Sequence, residues 1–230
     1  MHEFTLSPLQ MKAFLAKAEL SRKQVFFARN QTIFRQGDSC DSLFYIEKGT
    51  VKLTAASRQG KEAVIDILGR SDIAGDDCFN VDTPVWSCSA TALNSTVAWR
   101  INRTAVNASL HANSYTSSLF LTYLGRRLAR TQEELVSHLL HSTARRLARV
   151  LRALAEYRRK QTSDAVPTIS QQILAEMIGS TRQRVNVLMG KFRKAGFFQD
   201  AAGDRIQSLL LGEDDVAGLV SQCVKKRHCP

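Results

Sequence analysis

Between Lys23 and Ile101 the chain is built from short apolar stretches: Gln24–Phe27, Leu43–Ile46, Val51–Thr54, Ala63–Leu68, Ser87–Leu93 and Thr96–Ile101. Turn residues separate them, among them Gly37 with Asp38, Gly49, Gly60 and Gly75, and glycine supplies the positive φ that such turns need. Short strands at regular spacing read as a β-sandwich or barrel. Residues 1–20 read as a helical lead-in, and no repeat or low-complexity segment interrupts the pattern.

From about Ala105 the period changes to that of a helix. Leu121, Leu124, Leu128, Thr131, Leu135 and His138 follow one another at alternating steps of three and four, the a/d seam that joins two helices in a coiled coil. Arg126, Arg127, Arg130, Glu133 and Glu134 lie outside it. A stripe this narrow suits a helix pair better than the broad face of a helix packed on its own domain. Ser142 can cap a further helix running to about Arg159, with Leu147, Val150, Leu151 and Leu154 inward. Residues 160–167 form a polar loop ending in proline, and Phe197–Leu211 reads as a hairpin with Ala201–Asp204 as its turn.

The stretch Ser170–Lys194, SQQILAEMIGSTRQRVNVLMGKFRK, carries the chemistry. Ser170 caps a short helix whose apolar face is Ile173, Leu174, Met177 and Ile178. Gly179 suits the tight turn between two steeply crossing helices. In the second helix Val185, Leu188, Met189 and Phe192 make one buried stripe. The opposite, N-terminal face presents Arg182, Gln183, Asn186 and, at its edge, Arg184. The stripe fixes the helix on its domain and the polar face points outward, as insertion into a major groove requires. Arginine pairs bidentately with guanine, glutamine or asparagine with adenine. Ser180, Thr181, Lys191, Arg193 and Lys194 are placed for phosphates, which position a protein without reading sequence, and Ser170 and Gln171 join the candidate DNA-binding residues.

Charge strengthens this reading. The formal net charge is +11 and the sequence pI about 9.8. Residues 1–141 hold 16 basic and 13 acidic side chains, whereas residues 142–230 hold 16 and 8. The excess therefore sits with the candidate DNA-binding helices, as an electrostatic footprint on duplex DNA should. Mean hydropathy is −0.19, no apolar run approaches the roughly 20 residues of a membrane helix, and Met1–Gln10 lacks the pattern of a signal peptide. A cytoplasmic protein without a membrane partner is expected. Five scattered cysteines, Cys40, Cys78, Cys88, Cys223 and Cys229, are not a disulfide framework, and reduced thiols fit better.

The sequence resembles the Crp/Fnr family of bacterial regulators over nearly its whole length. Gly37–Leu53, GDSCDSLFYIEKGTVKL, resembles the family's cyclic-nucleotide-binding-type roll; Gly125–Leu140, GRRLARTQEELVSHLL, resembles its dimer helix; ISQQILAEMIGSTRQRVNVLMGKFRKAGF resembles its winged helix-turn-helix. The resemblance implies an α+β fold: a double-stranded, jelly-roll-like β-roll over residues 1–115, a dimerisation helix over 116–141, a winged helix-turn-helix over 142–215 and a tail over 216–230. It also implies a non-enzymatic transcription regulator, activator or repressor, acting as a homodimer on two-fold-symmetric duplex DNA and contacting RNA polymerase. The alternative is a cyclic-nucleotide-responsive module acting through protein partners, which the recognition helix disfavours.

In the family's cyclic-AMP receptors a glycine, a glutamate and an arginine–serine pair hold the phosphate, and a threonine and a serine on the dimer helix contact the base. Here the matching positions are Gly75, Asp76, Trp86, Ser87, Thr131 and Gln132. Arginine grips phosphate through two charge-assisted bonds, and tryptophan offers one neutral N–H. Loss of that contact costs roughly 2–5 kcal/mol, which argues against cyclic AMP as a tight effector and for some other small ligand, if any. On the recognition helix Arg182 is kept, while Gln183 and Val187 replace the receptors' glutamate and second arginine, so a different half-site is expected. The closely spaced N-terminal cysteines of iron–sulfur members are absent, so no such cluster is expected.

Three weaker signals have plainer readings. His138 and His141 have helical spacing for a metal but no third ligand beside them in sequence, and a polar residue on the seam can set register. Cys223 and Cys229 lie among Lys225, Lys226 and Arg227, which would lower thiol pKa values, but a frayed tail is the simpler account. Asp76, Asp77 and Asp82 near Cys78 belong to a ligand loop, with no base and nucleophile pair that would suggest catalysis.

Overall fold

The structure, a computed structural model, describes residues 22–79, 84–160, 169–194, 198–201 and 205–209. The helical lead-in, Asp82, the loop after residue 160, most of the hairpin turn, Cys223, Cys229 and the tail therefore lie outside the described residues. Contacts divide the chain into two units, residues 1–134 and 135–230.

The first unit is an antiparallel roll of two four-stranded sheets. One is ordered β1 (Arg22–Phe27), β8 (Thr96–Asn102), β3 (Ser42–Lys48), β6 (Ile73–Ala74); the other β2 (Thr32–Phe34), β7 (Ser89–Ala92), β4 (Val51–Ala56), β5 (Glu62–Leu68). All six strands expected from the apolar stretches are present. The two that were not expected, β2 and β6, span three and two residues, too short to show a period of two. Strand β8 alternates over its first four residues, with Thr96 and Ala98 buried and Val97 and Trp99 half-buried. Strand β3, flanked on both sides, buries five successive residues from Ser42 to Ile46. Phe34, Leu43, Ile46, Val51, Leu53, Leu68, Ile73, Ala90 and Ile101 draw both sheets into one core.

Helix α1 (Arg103–Ala112) follows β8 directly, capped by the Asn102 side chain, which accepts from the Thr104 amide at 2.8 Å. Helix α2 (Ser114–Leu140) has 27 residues, about 40 Å at 1.5 Å per residue. Asn113 caps it, accepting from Tyr115 and Thr116. Thr116, Leu119, Phe120 and Tyr123 are buried on one side, and Leu124 is packed against the roll core.

The second unit packs α3 (Thr143–Lys160), α4 (Gln171–Met177) and α5 (Arg182–Lys194) together, with an antiparallel hairpin of β9 (Phe198–Ala201) and β10 (Arg205–Leu209). Leu147, Leu151, Leu174, Ile178, Val185 and Phe192 form its core, with Val150, Leu154, Met177 and Leu188 partly buried against it.

Candidate nucleic-acid interface and sensor site

The turn between α4 and α5 is made by one residue type and three hydrogen bonds. Helix α4 begins where the Ser170 hydroxyl accepts from the Ile173 amide at 3.2 Å. It ends at Ile178, after which Gly179 takes φ 58°. The Gly179 amide donates to Glu176 and the Ser180 amide to Ala175, the paired bonds of a Schellman end, in which a left-handed glycine satisfies the last carbonyls of the helix. Thr181 then caps α5, its hydroxyl accepting from the Arg184 amide at 3.3 Å. His138 reaches the same turn: its Nε2 donates to the Met177 carbonyl at 3.2 Å.

Helix α5 divides as its sequence implies. Val185 and Phe192 are fully buried and Met189 nearly so. Arg182, Gln183, Arg184, Asn186 and Lys191 are exposed. Ser170 and Thr181 are exposed at the ends of the two helices, while Gln171 and Ser180 are half-buried. Lys191, Arg193 and Lys194 occupy the last turn of α5, where cations also suit the negative helix end. The structure thus carries three arginines and lysines beyond the polar N-terminal face, all at the opposite end of the same helix.

The seam residues on α2 mostly face outward. Leu121, Leu128 and Leu135 are 66%, 60% and 57% exposed, and Thr131 and His138 are exposed beside them. Leu124 differs, being half-buried against the roll.

At the six positions matched to the phosphate and base contacts, the roll is already engaged with itself. Gly75 has φ 89°, and a Cβ there would lie 2.3 Å from the Trp86 ring, so only glycine fits. Trp86 is 4% exposed and stacks on Phe34 with ring centroids 3.9 Å apart. Its indole thus belongs to the core. The Ser87 amide and hydroxyl, donors that could serve a phosphate, both donate to the Asp77 carboxylate, at 2.7 and 2.6 Å. Asp76 pairs with Arg127 Nε at 3.0 Å. Arg127 also donates to the Ile73 carbonyl at 3.0 Å and to the Tyr123 hydroxyl at 3.2 Å. Burial pushes the Asp76 carboxyl upward and Arg127 opposes that push. Arg130 binds Asp66, and Asp72, which accepts from the Gly69 amide, is raised by burial to about 6. Thr131 donates to the Arg127 carbonyl of its own helix, and Gln132 is exposed.

Asp66, Asp72, Asp76 and Glu134 therefore face the Arg127 and Arg130 guanidiniums around this corner, and the donors a phosphate would use are held by the Asp77 carboxylate. These residues do not fit an anionic cyclic nucleotide. The sequence shows Asp77 in an acidic loop without its partner and Arg127 outside the seam without a role. An acid two residues past a positive-φ glycine, facing a serine across the loop, is the one local signal that could have suggested the Asp77–Ser87 contact.

Cys40, Cys78 and Cys88 are buried thiols. Burial raises Cys78 to about 12 and Cys88 to about 11, and Cys40 further. Among the described residues no three His, Cys, Asp or Glu side chains are grouped to hold a metal, and no helix is long and apolar enough to cross a membrane.

Residues 24–113 match the cyclic nucleotide-binding domain and residues 145–210 the Crp-like helix-turn-helix domain. Among curated relatives, the "CRP-like cAMP-activated global transcriptional regulator" of Mycobacterium tuberculosis (strain ATCC 25618 / H37Rv) is 29% identical over 178 residues, covering 76% of this chain and 79% of its own. The "Anaerobic regulatory protein" of Bacillus subtilis (strain 168) is 25% identical over 202 residues, covering 86% and 82%. Among solved structures, FixK2 from Bradyrhizobium japonicum aligns with a TM-score of 0.73 at 15% identity over 87% of this chain and 98% of its own, a likeness of fold.

Proposed function

The chain joins a cyclic nucleotide-binding domain to a Crp-like helix-turn-helix domain and so belongs to the Crp/Fnr family of DNA-binding transcription regulators, and we propose that it acts as a homodimer on a two-fold-symmetric duplex site, with a sensor roll indifferent to cyclic AMP. The observation that carries this reading is the division of α5, with one stripe locked in the core and the face of Arg182, Gln183 and Asn186 exposed. Two such helices read two half-sites one helical turn apart.

The exposed leucines of α2 support dimerisation. Helices with Leu121, Leu128 and Leu135 in solvent leave apolar surface that a second copy covers. The seam then sets the spacing of the recognition helices. A sensor ligand could act only by binding two arrangements of that seam with different affinity. The Asp77–Ser87 contact and the Trp86–Phe34 stack speak against a phosphate-bearing ligand. In this reading the protein is not an enzyme, works in the cytoplasm and meets RNA polymerase on the promoter, as members of its family do.

Binding of the full chain to a random duplex library, selected with and without cyclic AMP, tests the proposal. A two-fold-symmetric site enriched equally in both arms is expected. Enrichment only with the nucleotide overturns the account of the roll. Enrichment of no duplex overturns the account of α5.

A further inference from the structure

On the outward face of α5 one residue does not suit a solvated surface. Val187 is 54% exposed, and its neighbours one turn away, Gln183, Arg184 and Lys191, are polar or charged and exposed. It lies about 200° around the helix from the buried Val185, so it has no share in the core stripe. A β-branched side chain in solvent on a helix loses rotamer freedom and gains no burial. Glutamine, lysine or arginine would serve the isolated unit better.

The helix is also unusually low beside it. Gly190, one turn on, lies inside the helix without a positive φ, and a Cβ there would meet nothing within 4 Å among the described residues. Neither left-handed backbone nor crowding by the described residues requires glycine at this place, although glycine is a poorer helix former than alanine. Val187 and Gly190 together make a small apolar notch in a polar, cationic surface. A partner whose surface is anionic at its edges and carries isolated methyl groups within matches that pattern. The major groove of duplex DNA is such a surface, and its apolar feature is the thymine 5-methyl group.

We infer that Val187 is a base-reading residue that packs against the 5-methyl group of a thymine in each half-site. The inference rests on the reading of α5 as the groove-inserting helix. Gln183 and Val187 lie on one strip of that helix, four residues apart. Gln183 suits adenine by hydrogen bonding and Val187 suits thymine by contact, so the strip as a whole selects A·T pairs.

The test uses the full-length protein and the duplex that it enriches from a random library. Each thymine of the half-site, on either strand, is replaced in turn by deoxyuridine in both half-sites, which removes the methyl group and leaves every hydrogen bond. Affinities of the wild type and of Val187→Ala are measured by fluorescence anisotropy. Burying one methyl group is worth about fourfold, so one symmetric replacement should weaken the wild type about tenfold or somewhat more. Val187→Ala should bind the thymine duplex correspondingly less tightly and be indifferent to that same replacement. Cytosine at that position should regain affinity for the wild type alone when it is 5-methylated. Equal responses of the two proteins to every replacement, or an enriched site without thymine, overturn the inference while leaving DNA binding intact. Enrichment of no duplex overturns the reading of α5 and the inference with it.

Discussion

Replacing Arg127 by methionine should destabilise the sensor roll by about 3 kcal/mol at neutral pH, and most of that loss should vanish if Asp76 is neutralised as well. Arg127 holds three acceptors at once: Asp76 at 3.0 Å, the Ile73 carbonyl at 3.0 Å and the Tyr123 hydroxyl at 3.2 Å. Its side chain is 23% exposed and that of Asp76 only 13%. Breaking a buried pair by removing one partner costs about 3–5 kcal/mol, mostly from the charge left behind, and the residual exposure places this pair at the lower end. Asp76→Asn with Arg127→Met removes that stranded charge. It leaves only the bonds to Ile73 and Tyr123 to lose, about 1 kcal/mol in all. Asp76→Asn alone strands the Arg127 charge in turn, so the coupling energy should be at least about 2 kcal/mol. The loss in Arg127→Met should also shrink between pH 8 and pH 5, because an Asp76 without its guanidinium holds a proton in the folded state more readily than in the unfolded one. Urea unfolding of the four proteins of the cycle, followed by tryptophan fluorescence, measures this directly, since both tryptophans, Trp86 and Trp99, lie in the roll. A coupling below about 0.5 kcal/mol, or a loss that does not change with pH, would refute the reasoning.

Four further outcomes are expected. Calorimetric titration with cyclic AMP to about 1 mM should show no saturable binding, because Asp77 occupies the Ser87 donors and Trp86 replaces the guanidinium; micromolar binding that Ser87→Ala weakens would contradict this. The Asp72 carboxyl, raised by burial to about 6, keeps its proton in the folded chain after the unfolded chain loses it near 4. Its contribution to stability is thus present below about pH 4 and is lost as pH rises to 6, and Asp72→Asn should flatten the pH dependence of the urea midpoint over that window. Leu128→Glu should yield monomers in sedimentation velocity and lose most duplex affinity, whereas a dimer that persists would remove the seam from the interface. Arg182→Ala should cost about 1–3 kcal/mol in duplex binding and relax preference at one base pair, while Lys191→Ala should weaken all duplexes alike and reduce the salt slope by about 1; the reverse pattern would exchange their roles.

The elements with a strong period were legible in the sequence. The leucine and valine stripes of α2 to α5 and the six longer strands each repeat a hydrophobic spacing over enough residues to register. Ser170, Gly179 and Ser142 marked helix ends because capping depends on residue type. The sensor corner was different. Its contacts join residues distant in sequence, such as Asp76 with Arg127 and Asp66 with Arg130, and no local pattern records such a pairing. In the sequence Trp86 is a lost phosphate ligand; in the fold its ring packs on Phe34 and over Gly75, so its identity is tied to packing. In the sequence Val187 stands out only as a departure from arginine, because exposure on a helix face is a property of the folded unit.

The three thiols inside the roll give the protein an internal clock. With burial holding them in the protonated form, Cys40, Cys78 and Cys88 react with a thiol reagent only when the strands around them part. The rate at which each acquires a mass label therefore counts how often its corner of the roll opens. If all three label at one rate, the roll opens as a single cooperative body. If Cys78, which follows Asp76 and Asp77, labels faster than the others, the acidic corner breathes by itself. That would make it the region whose opening a signal could trap.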